Sequence, residues 1–220
     1  MVTTKKAVPP TCHLESKGDI IKQVNTFRYL GYSLSSNGKC LQEVKTRIAK
    51  AKDTFNQMKA ITKNKCISVE TKIRITKVYV WSILLYGCEC WTIDRDIENR
   101  LNAAEMWFLR RILRIPWTDR VSNDNVLARA GVQRELMKTV RKRQMSFLGH
   151  IYRKNDLEKI VLTGKICGRR DRGRQRITYL QSLNNAATGG SMSKTDFLRV
   201  AERREDWRLM IADVCNRPGT

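Results

Sequence analysis

Acidic residues, histidines and paired cysteines are all scarce in this chain, and each shortage narrows what it can do. Across 220 residues, 21 Asp and Glu face 43 Lys and Arg, leaving a formal net charge of +22. A surplus that large repels itself unless it meets a polyanion, so nucleic acid is the expected partner ahead of an anionic membrane face. The cysteines at 12, 40, 66, 88, 90, 167 and 215 are odd in number and lack the close pairing of a disulfide framework or a zinc ribbon. Cys88-Glu89-Cys90 is a lone CxC, and His13 and His150 are the only histidines available to complete a tetrahedral site. Reduced thiols and no bound metal are therefore expected. Long apolar runs are missing too: about a dozen residues separate Lys77 from Glu89, against the roughly twenty that a bilayer span requires. An apolar fraction of 41% is too high for a disordered basic tail. No charged-then-apolar leader opens the chain. A folded intracellular protein, nuclear or cytoplasmic, is expected.

The most apolar stretch is Val78–Cys90, VYVWSILLYGCEC. It continues a helical pattern in which Ser68 caps the first turn and Val69, Ile73, Lys77 and Val80 mark one side. From Val78 the stripe widens to every face, the mark of a helix enclosed by other helices. Upstream, Asp19–Val24 and Thr26–Leu34 read as two extended runs between the turn signals Lys17-Gly18 and Asn37-Gly38, a short β-hairpin or sheet edge. Gly31 lies inside the second run, where a glycine lets another backbone, or a ligand, come close.

Val44, Ile48, Ala51, Phe55 and Met58 form a helix stripe, with Lys45, Arg47, Lys50, Lys52 and Lys59 on the other face. Thr92–Ile115 repeats the pattern with Ile97, Leu101, Ala104, Phe108, Ile112 and Ile115 inward, and Pro116 ends it. Asp94, Asp96 and Glu98 sit where a helix start favours acids. Short connections predict an antiparallel bundle. Beyond it, Ser122 to Gly131 is a brief capped helix, and Glu135–Arg153 is a longer one with Leu136, Val140, Phe147 and Ile151 on a common side. Two more helices follow at 177–187 and 196–214. The predicted class is mainly α: a short N-terminal β-hairpin, an antiparallel helical bundle and a basic helical tail.

Charge concentrates in that tail. Residues 138–176 hold thirteen Lys and Arg and three acids, a net of +10. GKICGRRDRGRQR at 164–176 spaces Arg169, Arg170, Arg172, Arg174 and Arg176 with glycines, a pattern that turns planar guanidinium groups toward phosphates or unpaired bases. Together with Arg141, Lys142 and Arg143 these are the candidate phosphate contacts. The same run equally suits a nuclear-localisation signal. His150 has no neighbouring acid to orient it as a base, and reads as a packing or phosphate-facing residue. Trp81, Trp91, Trp107 and Trp117 adjoin apolar helices and are expected in cores.

Several blocks resemble one known family in collinear order: FRYLG at 27–31, LLYGCECW at 84–91, AAEMWFLRRILRIPWTDRVSNDNVLARAG at 103–131, RKRQMSFLGHIYR at 141–153, GRRDRGRQRITYL at 168–180 and REDWRLM at 204–210. They look like the end of the polyprotein of non-LTR, LINE-type retrotransposons, the RTE-like endonuclease/reverse transcriptases. The resemblance implies that 1–38 is the end of a palm with a primer-grip-like hairpin, in which Leu30, Gly31 and Tyr32 contact the primer. It further implies a thumb-like bundle over 39–131 and a basic helical C-terminal region over 132–220. RNA, DNA and upstream palm and endonuclease domains would be the partners. The family's polymerase holds two Mg2+ on paired aspartates. This sequence has no Asp-Asp pair, so Mg2+ is expected only in an upstream palm and none of these residues is catalytic. The alternative is a stand-alone protein that reuses a basic helical fold to bind RNA, DNA or a protein partner.

Overall fold

The structure, a computed structural model, describes residues 1–3, 10–154, 156–164 and 175–216. It is mainly helical, with short antiparallel strands at the N-terminus followed by helices. Two compact units divide at Gly87/Cys88.

The first unit opens with two small hairpins in place of one. β1 (Glu15–Ser16) pairs with β2 (Asp19–Ile20) around Lys17-Gly18, and β3 (Thr26–Tyr29) pairs with β4 (Tyr32–Ser35). The second pairing corrects the expectation of one continuous strand through Gly31. Tyr29 opposes Tyr32, and Leu30 and Gly31 between them have φ of 46° and 80°. Two successive positive φ values are what a two-residue turn of the I′ kind requires, so the chain reverses where a strand was expected.

Helices α1 (Leu41–Gln57), α2 (Lys59–Thr62), α3 (Val69–Ile75) and α4 (Trp81–Leu84) follow, with one π turn at Thr76–Val80 joining the last two. Ser68 caps α3 by accepting from the Thr71 N–H. Val44, Ala51 and Phe55 of α1 are buried, as are Ile73, Val80, Trp81, Leu84 and Leu85; α1 packs along α4 and the π turn. Burying one such side chain contributes about 1.5–3 kcal/mol. One partner helix covers one side, so Val78, Tyr79 and Tyr86 remain exposed, and the apolar stretch is not enclosed all round as expected. Among the described residues no helix is long and apolar enough to cross a membrane.

The second unit holds α5 (Arg95–Ile112), α6 (Asn123–Ala130), α7 (Leu136–Arg153), α8 (Leu157–Thr163), α9 (Tyr179–Thr188), α10 (Lys194–Glu202) and α11 (Arg204–Asn216). Asp94 caps α5, and Ser122 with Gly131 brackets α6. The α5 stripe is buried as patterned, and α7 packs on α5, α9, α10 and α11. Met145, Leu148, Leu183, Phe197 and Trp207 form its main core, Phe197 meeting Trp207 edge-on at 5.2 Å. Gly149 is required by that core: a Cβ there would stand 2.3 Å from Trp207 Nε1, which donates to the Met145 carbonyl at 2.9 Å.

Candidate nucleic-acid interface

Three groups of candidate residues have separate surroundings. In the first unit, Leu30, Gly31 and Tyr32 form the tip of the second hairpin, and the backbone of that tip is fastened from behind. The Tyr86 hydroxyl donates to the Leu30 carbonyl at 2.7 Å, and Arg47 Nη2 donates to the Gly31 carbonyl. Arg47 lies 4.3 Å over the Tyr86 ring and is ion-paired with Glu43, whose other oxygen accepts from the Ser33 N–H at 2.8 Å. Arg47 is thus buried and does not belong to the cationic face of α1 on which the stripe pattern put it. The side chain of Leu30 is 75% exposed. Gly31 answers the turn's positive φ; a Cβ would still find Tyr86 Oη at 3.7 Å, ordinary contact distance.

In the second unit, the three consecutive cations of α7 divide. Arg141 turns inward, its Nη1 donating to Ser182 Oγ at 3.1 Å and Gln144 Oε1 at 3.3 Å. Burial holds its guanidinium below the ordinary arginine value, with Glu98 and Tyr179 pulling the other way. Lys142 and Arg143 face outward. With Thr139, Ser146, Phe147, His150 and Glu89 they line an open groove of about 670 Å³. Arg143 reaches Glu89 at 3.9 Å. Phe147, placed on the core stripe by its spacing, is instead 38% exposed on this cationic face.

The floor of the groove is rigid because the segment after Gly87 is strapped to α7 and α9. Gln144 Nε2 donates to the carbonyls of Cys88 at 2.9 Å and Trp91 at 2.8 Å. The Tyr179 hydroxyl donates to the Glu89 carbonyl at 2.7 Å and the Ser182 hydroxyl to the Ile93 carbonyl at 2.8 Å. Burial, with Glu89 adding to it, pushes the Cys88 thiol up to about 12. That thiol is a packed structural group, far from the thiolate that metal binding needs. Among the described residues no three of His, Cys, Asp or Glu gather as a metal site, and none of the six described cysteines is in a disulfide.

Of the third group only Arg176 is described, exposed just ahead of α9. Arg169, Arg170, Arg172 and Arg174 lie outside the described residues. What the groove can do chemically is bind an anion: Lys142 and Arg143 supply donors, and Ser146 and Thr139 add hydroxyl groups, while Phe147 offers an apolar edge. Sequence reasoning missed Thr139, Ser146 and Phe147. Their i, i+4 relation to Lys142 and Arg143 on α7 was the available signal.

No family model and no solved structure matches this chain. It is 23% identical over 202 residues to an uncharacterised transposon-derived protein of Caenorhabditis elegans, a match covering 87% of this chain and 71% of that protein. The likeness links the chain to transposon-derived sequence.

Proposed function

We propose that the chain is the nucleic-acid-binding C-terminal part of a non-LTR retrotransposon reverse transcriptase. It grips template RNA and primer DNA by their phosphates, and a separate palm supplies the catalytic carboxylates and their Mg2+. In this reading 1–38 is the end of the palm, with Leu30, Gly31 and Tyr32 at the primer. Residues 39–131 are the thumb, and 132–220 are a basic tail that holds the strand leaving it. The observation that carries the reading is the outward face of α7, where Lys142 and Arg143 stand on a helix whose opposite face is core. The helix fixes the backbone that carries these cations, which lowers the ordering cost of binding.

The test is a salt titration of wild type, of Lys142→Gln with Arg143→Gln, and of the variant with Arg169, Arg170, Arg172, Arg174 and Arg176 all changed to Gln. Each lost phosphate contact should flatten the slope of log affinity against log salt by roughly 0.7 on a single strand and 0.9 on duplex DNA. The double variant should therefore lose about 1.4, and the five-fold variant about 3.5, on single strands. Slopes that coincide with wild type would remove both clusters from the interface.

A further inference from the structure

The connection between α5 and α6 holds an indole in water. Trp117 is 94% exposed, against 8%, 0% and 1% for Trp81, Trp91 and Trp207. Its sequence neighbourhood predicted a core position, and the structure places it outside. The segment is nonetheless tightly made. Pro116 leads into a single 3-10 turn at Trp117–Asp119. Arg110 on α5 donates its Nη2 to the Val121 carbonyl at 2.7 Å and to Asn123 Oδ1 at 2.9 Å, and its own carbonyl accepts from the Ile115 N–H at 2.9 Å. Arg114 and Arg120 bracket the turn with φ of 56° and 47°. A side chain with a Cβ avoids that left-handed region, and such backbone is held only where the surroundings impose it, often at binding sites.

The result is an exposed indole on a backbone held in place, with an exposed arginine on each side along the chain and one acid, Asp119, between them. A flat apolar surface among cations suits a nucleobase flanked by phosphates. It suits an apolar protein face poorly, since docking would strip water from Arg114, Asp119 and Arg120.

We propose that Trp117 is a stacking platform for one unpaired base of single-stranded nucleic acid, with Arg114 and Arg120 serving the adjoining phosphates. This rests on the nucleic-acid reading of the chain and adds a preference that the α7 face lacks. Phosphate contacts accept duplex and single strand alike, whereas a duplex hides the faces of its bases.

The experiment uses the full chain, a single-stranded dT oligonucleotide and a duplex of equal length. Trp117→Ala should leave the melting temperature unchanged, because the ring is packed on nothing. It should weaken single-strand binding by roughly 5- to 100-fold while duplex binding changes by less than about twofold. Trp117→Phe should restore most of the loss. The salt slope of Trp117→Ala should match wild type, since stacking releases no counterion, whereas Arg114→Gln with Arg120→Gln should flatten it by about 1.4. Unchanged single-strand affinity in Trp117→Ala, or equal losses on both forms, overturns the platform alone. A wild-type chain that binds neither form overturns the platform together with the reading beneath it.

Discussion

Two buried glutamates, Glu43 in the first unit and Glu105 in the second, each reach out of a helix to hold backbone N–H groups of a neighbouring segment. Glu43, 1% exposed, accepts from Ser33 and is paired with Arg47, which passes the connection on to the Gly31 carbonyl. Glu105, 4% exposed, accepts with Oε1 from the N–H groups of Glu135 and Leu136 at 2.8 and 3.0 Å, and so caps α7 from α5. Among the described residues its Oε2 has no hydrogen-bond partner. Burial pushes the Glu105 carboxyl above its ordinary value, while the two N–H groups and Arg134 pull it down. The same reach thus rests on a compensated charge in one unit and on backbone dipoles in the other. The first arrangement fails when its cation is removed, and the second responds to pH.

Arg47→Met breaks the first arrangement and should have the larger effect. It leaves Glu43 buried without its cation and the Gly31 carbonyl without its donor, which costs about 3–5 kcal/mol. Hydrogen exchange would register this as lost protection over residues 26–57, with α7 and α11 unchanged. A loss below about 1 kcal/mol would mean that water reaches Glu43 and that the pair does not hold the hairpin.

Glu105→Gln tests the second arrangement and should cost little. The amide oxygen still accepts from Glu135 and Leu136, and no charge is buried, so stability near neutral pH should hold or rise. The sign with pH follows from the raised carboxyl. The folded chain keeps a proton that the unfolded chain releases near pH ~4.3. This group's contribution is therefore complete below that value and declines as pH rises through the folded one. Urea melts should show that decline in wild type and its absence in Glu105→Gln. Parallel curves for the two proteins would contradict the assignment.

The parts legible in sequence were those governed by apolar period and capping chemistry. Ile97, Leu101, Ala104, Phe108 and Ile112 are buried as their spacing indicated, and Ser68, Asp94 and Ser122 cap the helices they precede. What escaped depends on partners distant in sequence. Leu30 takes a left-handed φ that a leucine avoids, so FRYLGYSL read as one strand; the turn is imposed by Tyr86 and Arg47 acting on its carbonyls. Arg47 was placed on a cationic face, and Glu43, Glu105 and Gln144 drew no reading, because nothing local announces that these side chains meet backbone 10 to 56 residues away. Phe147 and Trp117 failed in the opposite sense. Hydrophobicity indicated core for both, and the structure leaves one part-exposed among cations and the other almost wholly in water.

The most direct test of the central claim needs only the wild-type chain. Its affinity is measured for several unrelated RNA and DNA single strands across a range of salt. Nine phosphate contacts, from Lys142, Arg143, the five loop arginines and the Arg114 and Arg120 pair beside Trp117, predict a log–log slope of roughly −6 on single strands. Phosphates carry no base information, so the slope should be the same for every sequence. A slope near zero, or affinity confined to one sequence, would contradict the account.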